Sequence, residues 1–74
     1  MSKRAMGAYV RQRRIELGLS QAELAERLGV WQTHVSAIEI GRVSPSVETL
    51  VRLADALGVA VGDITSAMAE EVVA

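Results

Sequence analysis

Gln32, Thr33, Ser36 and Ala37 fall at i, i+1, i+4 and i+5, a spacing that puts them on one side of a helix. Their groups suit the reading of hydrogen-bond patterns. The Gln32 amide offers an acceptor beside two donors and has the shape to bond N6 and N7 of adenine together. Thr33 brings a hydroxyl and a methyl, suited to a thymine methyl, to a phosphate, or only to hydrogen bonds within its own first turn. Ser36 is a small hydroxyl one turn further on, and Ala37 offers only a methyl contact.

Bond-making chemistry finds little support in the rest of the chain. Cysteine is absent and His34 is the only histidine. One imidazole without cysteines or clustered carboxylates is not a zinc site. There is no Ser/His/Asp arrangement and no glycine-rich phosphate loop. The reading is of a protein that is not an enzyme and uses no cofactor or metal. His34, beside the polar strip, is open to phosphate contact or to plain exposure.

Two short helices and a turn must position the strip. Ser20 reads as an N-cap, and Glu23 three residues on completes a capping box. Leu24, Ala25 and Leu28 form the buried stripe of that helix, and Gly29 ends it with the positive φ a tight turn needs. A second helix begins near Gln32, turns Val35 and Ile38 inward and stops at Gly41. This is a helix-turn-helix, an arrangement that lays its second helix in the DNA major groove. Arg42, in the following loop, suits a phosphate, as do the backbone amides there. Arg11 and the pair Lys3–Arg4 extend toward the same backbone or a neighbouring minor groove.

Other helices must build the support. A first helix is expected from Ala5 to Leu17, with Met6, Val10 and Leu17 inward and Gly18 ending it. A fourth runs Val47 to Leu57 after the Ser46 cap, with Val47, Leu50, Val51, Ala54 and Leu57 as its stripe. A fifth covers about Val61 to Ala69 through Val61 and Ile64, with a poor start at Ala60 and Gly62. Residues 70–74 read as a frayed end. The expectation is one all-α domain over residues 1–74, its core aliphatic: half of the 74 residues are hydrophobic, and there is no Phe.

Charge is uneven along the chain. Residues 1–42 carry seven basic against four acidic side chains, and residues 43–74 carry one arginine against five acids. The half holding the turn is the basic one, as phosphate binding asks. No apolar run reaches the ~20 residues of a membrane span, and Lys3–Arg4 precede no apolar block of a signal peptide. With no cysteine, these features fit a cytoplasmic protein.

Taken in order, Leu17-Gly18-Leu19-Ser20-Gln21-Ala22-Glu23-Leu24-Ala25, Leu28-Gly29-Val30, Val35-Ser36-Ala37-Ile38-Glu39-Ile40-Gly41-Arg42, Pro45-Ser46 and the run Leu50 to Val59 resemble the Cro/C1-type, lambda-repressor-like (XRE) helix-turn-helix regulators. The resemblance covers about Met6 to Ile64. It implies a five-helix fold with the motif in helices 2 and 3, and sequence-specific DNA binding that regulates transcription. Small phage repressors, restriction controllers and antitoxin-like interaction modules share this size. Gln21 matches a residue that bonds phosphate and braces the first residue of helix 3. Gln32 and Thr33 match base-contacting positions, with Ser36 and Ala37 one turn on. Arg14 and Glu39 match a pair that forms an internal salt bridge in some phage repressors.

Three positions depart from the resemblance. Trp31 stands where Ser or Thr usually caps helix 3. Ile40 replaces a residue that is usually polar, and Ala37 is short where a longer side chain often reads a base. Trp31 is placed with the phosphate contacts. It is also open to lying along a deoxyribose or thymine methyl, to anchoring a protein partner, or to folding onto helix 2 or the neighbouring loop; Ile40 is a second candidate for a partner. DNA readers of this size are expected to act as homodimers on palindromic operators. Val59, Val61, Met68, Val72 and Val73 look like apolar surplus near helix 5, suited to that interface, with Ile40 and Val43 as a second surface.

Overall fold

The computed structural model describes the backbone of residues 2–73 and the side chains of residues 2–67. Five helices follow in order: α1 (Lys3–Glu16), α2 (Gln21–Leu28), α3 (Gln32–Glu39), α4 (Val47–Leu57) and α5 (Val61–Val73). The described residues contain no strand, and the fold is all-α.

Local signals set most of the boundaries. Ser2 Oγ accepts from the Ala5 N–H at 3.0 Å, which starts α1 two residues before the expected Ala5. At α2 the Ser20 hydroxyl accepts from Glu23 N–H at 3.0 Å, and Glu23 accepts from Ser20 N–H at 2.9 Å. The Ser20 N–H holds the Glu23 carboxyl below the usual carboxylate range. Ser46 caps α4 through Thr49 N–H at 3.2 Å. At α5 the missing cap oxygen comes from three residues downstream: Asp63 Oδ2 accepts from Ala60 N–H at 3.0 Å.

The core lies where α1 packs on α3 and α5 while α2 packs on α3 and α4. Met6, Val10, Leu24, Leu28, Val35, Ile38, Leu53, Leu57 and Ile64 are fully buried there. Two charged side chains tie the layers by their donors. Arg13 Nε donates to the Leu57 carbonyl at 3.0 Å, and Arg52 Nη1 to the Leu28 carbonyl at 3.2 Å. Each supplies a partner to a carbonyl that a helix end leaves open.

The structure corrects several inward assignments. Leu17 is 42% exposed, because α1 ends at Glu16 and Gly18, at φ +73°, turns the chain so that Leu19 enters the interior instead. Val47 and Val51 are 80% and 55% exposed, while Leu53 is fully buried. Helix α4 is apolar on more than one side, and the covered register runs Leu50, Leu53, Ala54, Leu57. Val59 and Val61 are not surplus: both are half-buried and packed against the core, as is Val43. Met68, Val72 and Val73 lie outside the residues whose side chains are described.

Candidate nucleic-acid interface

Three anchors fix α3. Val35 and Ile38 enter the core and Glu39 is buried beside them. Its start is set by the turn, where Val30 N–H bonds the Ala25 carbonyl at 3.1 Å and Gly29 takes φ +71°. The Trp31 carbonyl then accepts from His34 N–H at 2.9 Å and Val35 N–H at 3.3 Å. At the other end Arg42 N–H returns to the Ala37 carbonyl at 2.9 Å.

With the inner face pinned, the outer face carries the polar strip. Gln32 and Thr33 are exposed; Ser36, Ala37 and His34 are half-buried. Trp31 and Ile40 bracket the helix and are 84% and 61% exposed. The exposure of Trp31 excludes its folding onto α2. No side chain caps α3, since an indole has no acceptor to offer an N–H.

Arg14 and Glu39 meet beneath the motif. Arg14 Nε donates to Glu39 Oε2 at 2.6 Å and Nη2 to Oε1 at 3.1 Å, while Nη1 reaches the Leu19 carbonyl at 2.8 Å. This is the planar two-pronged geometry that suits arginine with a carboxylate. Bonding to Glu39 raises the Arg14 pKa above its ordinary value, against a smaller opposing effect of burial. Gln21 Nε2 donates to Glu39 Oε1 at 3.1 Å. The brace expected from Gln21 to the first residue of α3 is thus made to its last residue, where a buried carboxylate is the stronger acceptor.

Two glycines bring α1 against this end of α3. Gly7 is buried beneath the Ile38 and Glu39 carbonyls, and a Cβ on Gly41 would lie 2.7 Å from Arg4 Cα. The second approach sets exposed Arg4 beside the loop that carries exposed Arg42. Arg11, also exposed, sits one helical turn from both Gly7 and Arg14. The composition of the strip was readable from sequence; this gathering of Arg4 with Arg42 was not, because it depends on a contact between distant segments. No group of three potential metal ligands forms among the described residues, and no helix there is long and apolar enough to cross a membrane.

Comparisons with known proteins match this geometry. Residues 10–64 match the helix-turn-helix family. The chain is 51% identical over 53 residues to an uncharacterised HTH-type transcriptional regulator of Methanothermobacter thermautotrophicus, covering 72% of this chain and 77% of that one. Among solved structures, the clp gene regulator ClgR from Corynebacterium glutamicum superposes with a TM-score of 0.84 at 35% identity, covering 93% of this chain and 73% of that one. The master regulator for biofilm formation SinR, solved in complex with DNA, superposes with a TM-score of 0.75 at 34% identity, covering 81% of this chain and 97% of that one. The chain belongs to the helix-turn-helix family, among its Cro/C1-type transcriptional regulators.

Proposed function

We propose that two copies of the chain bind a palindromic operator, each laying α3 in the major groove. The observation that carries this reading is the two-sidedness of α3. Its inner face is locked by Val35, Ile38 and the buried Glu39, while Gln32 and Thr33 stand free at its N-terminal end. That is the end whose residues meet base edges in this docking geometry. Gln32 is assigned to an adenine edge, with Thr33, Ser36 and Ala37 lining the same strip. Gln21, His34, Arg42 and Arg11 are assigned to the flanking backbone. Gln21 serves there through the second hydrogen of its amide nitrogen, the first being held by Glu39, and through its main-chain N–H at the start of α2.

Dimerisation is argued from size. One module of this kind covers about 600–1,000 Å² of interface, which seldom gives tight specific binding alone. Half-sites one duplex turn apart, roughly 34 Å, suit a two-fold pair. The C-terminal helix α5 is the proposed interface, through Met68 and Val72, since Val59 and Val61 pack against the core of their own chain. The place of action is the cytoplasm, where such an operator lies.

In vitro selection of bound duplexes, followed by salt titration of the winning site, tests the reading. The expected result is an inverted repeat whose affinity falls steeply with salt, as release of counterions from several phosphates requires. Random sequences bound as well as the selected ones would refute it. A protein partner docking at Ile40 is a second reading, favoured by that residue's exposure. Its mark would be a salt-insensitive protein complex with no DNA preference in the selection.

A further inference from the structure

Trp31 breaks two local rules at once. It occupies the N-cap of α3 without giving a cap hydrogen bond, where an oxygen-bearing side chain is strongly favoured. It also leaves an indole 84% exposed. Nothing within the described residues compensates for either departure in the free protein. Violations of local preference concentrate at functional sites, so the compensation is sought in a bound state.

We propose that Trp31 reads the 5-methyl group of a thymine at the outer edge of each half-site, by apolar contact in the major groove. The proposal rests on the DNA-binding reading above and adds a specificity residue to it. Position supports it first. Trp31 immediately precedes Gln32, and its carbonyl is the acceptor for the first turn of α3, so its backbone is fixed relative to the groove helix. Chemistry supports it next. A phosphate favours a cation or several donors, and an indole offers one N–H and no charge. The thymine methyl is the apolar feature of the major-groove edge, and apolar side chains recognise it. Exposed Arg4 and Arg42 are present for the phosphates instead.

The test replaces each thymine of the selected operator in turn by deoxyuridine, which removes only the methyl, and measures affinity for the wild-type protein and for Trp31→Ala. Because the indole is exposed, Trp31→Ala is expected to fold normally, as a thermal melt of the free variant will show. At one thymine per half-site the wild type should lose about fourfold, the weight of one buried methyl group, and Trp31→Ala should lose nothing there. Thymines facing Thr33 or Ala37 should keep their methyl dependence in the variant. Trp31 is the only tryptophan, so its emission should change on binding the methylated site and change less on the deoxyuridine site. The inference is overturned if the wild type is indifferent to every methyl, or if Trp31→Ala keeps the full methyl dependence of the wild type at every position. Loss of preference for the operator over random DNA in the wild type would instead overturn the DNA-reading assignment beneath it.

Discussion

Glu39→Ala is expected to lower the unfolding free energy by about 3–5 kcal/mol, the cost of leaving a buried charge without its partner. Arg14 would lose two of its three hydrogen bonds, keeping only the Leu19 carbonyl, and Gln21 would lose its acceptor. Arg14 is 8% exposed and has little water to turn to. The paired replacement Arg14→Met/Glu39→Leu should cost much less than either single truncation, because it removes both desolvation penalties and fills similar volume. Denaturant unfolding of the wild type, Arg14→Met, Glu39→Leu and the double variant closes the cycle. Simple additivity, with no coupling between the two positions, would contradict the role assigned to the pair. Its place, joining α1 to the end of α3 and through Gln21 to the start of α2, makes it the tie that orients the groove helix.

Gly7→Ala is expected to destabilise the protein by about 2 kcal/mol, although alanine is the better helix former by roughly 1 kcal/mol. An added Cβ would lie 2.5 Å from the Glu39 carbonyl oxygen and nearer still to that of Ile38. Both are backbone atoms of α3, so no side chain can swing aside and α1 must retreat. Overpacking of this kind costs typically 1–3 kcal/mol and occasionally more, which outweighs the propensity gain. The same substitution at Gly62, where a Cβ would meet nothing within 4 Å, is the control and should be neutral or stabilising. A Gly7→Ala protein as stable as the wild type would show that α1 and α3 do not meet this closely.

The motif was legible because its signals are local. A capping box, glycines at helix ends and an apolar stripe all act within a few residues, so Ser20, Glu23 and Gly29 declare α2 and its turn without help from the rest of the chain. What sequence left unread depends on long-range packing. Val47 and Val51 sit at good helical spacing, yet so do Leu50, Leu53 and Leu57, and only the neighbours of α4 decide which side is covered. Gly7 lies inside α1, and only the α3 carbonyls that cross it explain the missing side chain. Val59 and Val61 looked unused because a count of apolar residues does not show where the core ends. Ala60 looked a poor start because the cap oxygen comes from Asp63. In the candidate site, the exposure of Gln32 and Thr33 follows from the helical period, whereas the partner of Gln21 required the buried carboxylate of Glu39 to be located in space.

The central claim is that the outer face of α3 reads base sequence. The direct measurement compares Gln32→Ala with the wild type on the selected operator and on random duplex of equal length, at one salt concentration. Gln32 is exposed, so the variant should fold unchanged. The account predicts a loss of about 1–3 kcal/mol on the operator, the weight of one base contact, and almost none on random DNA. Equal losses on the two duplexes, or no loss on either, would contradict it.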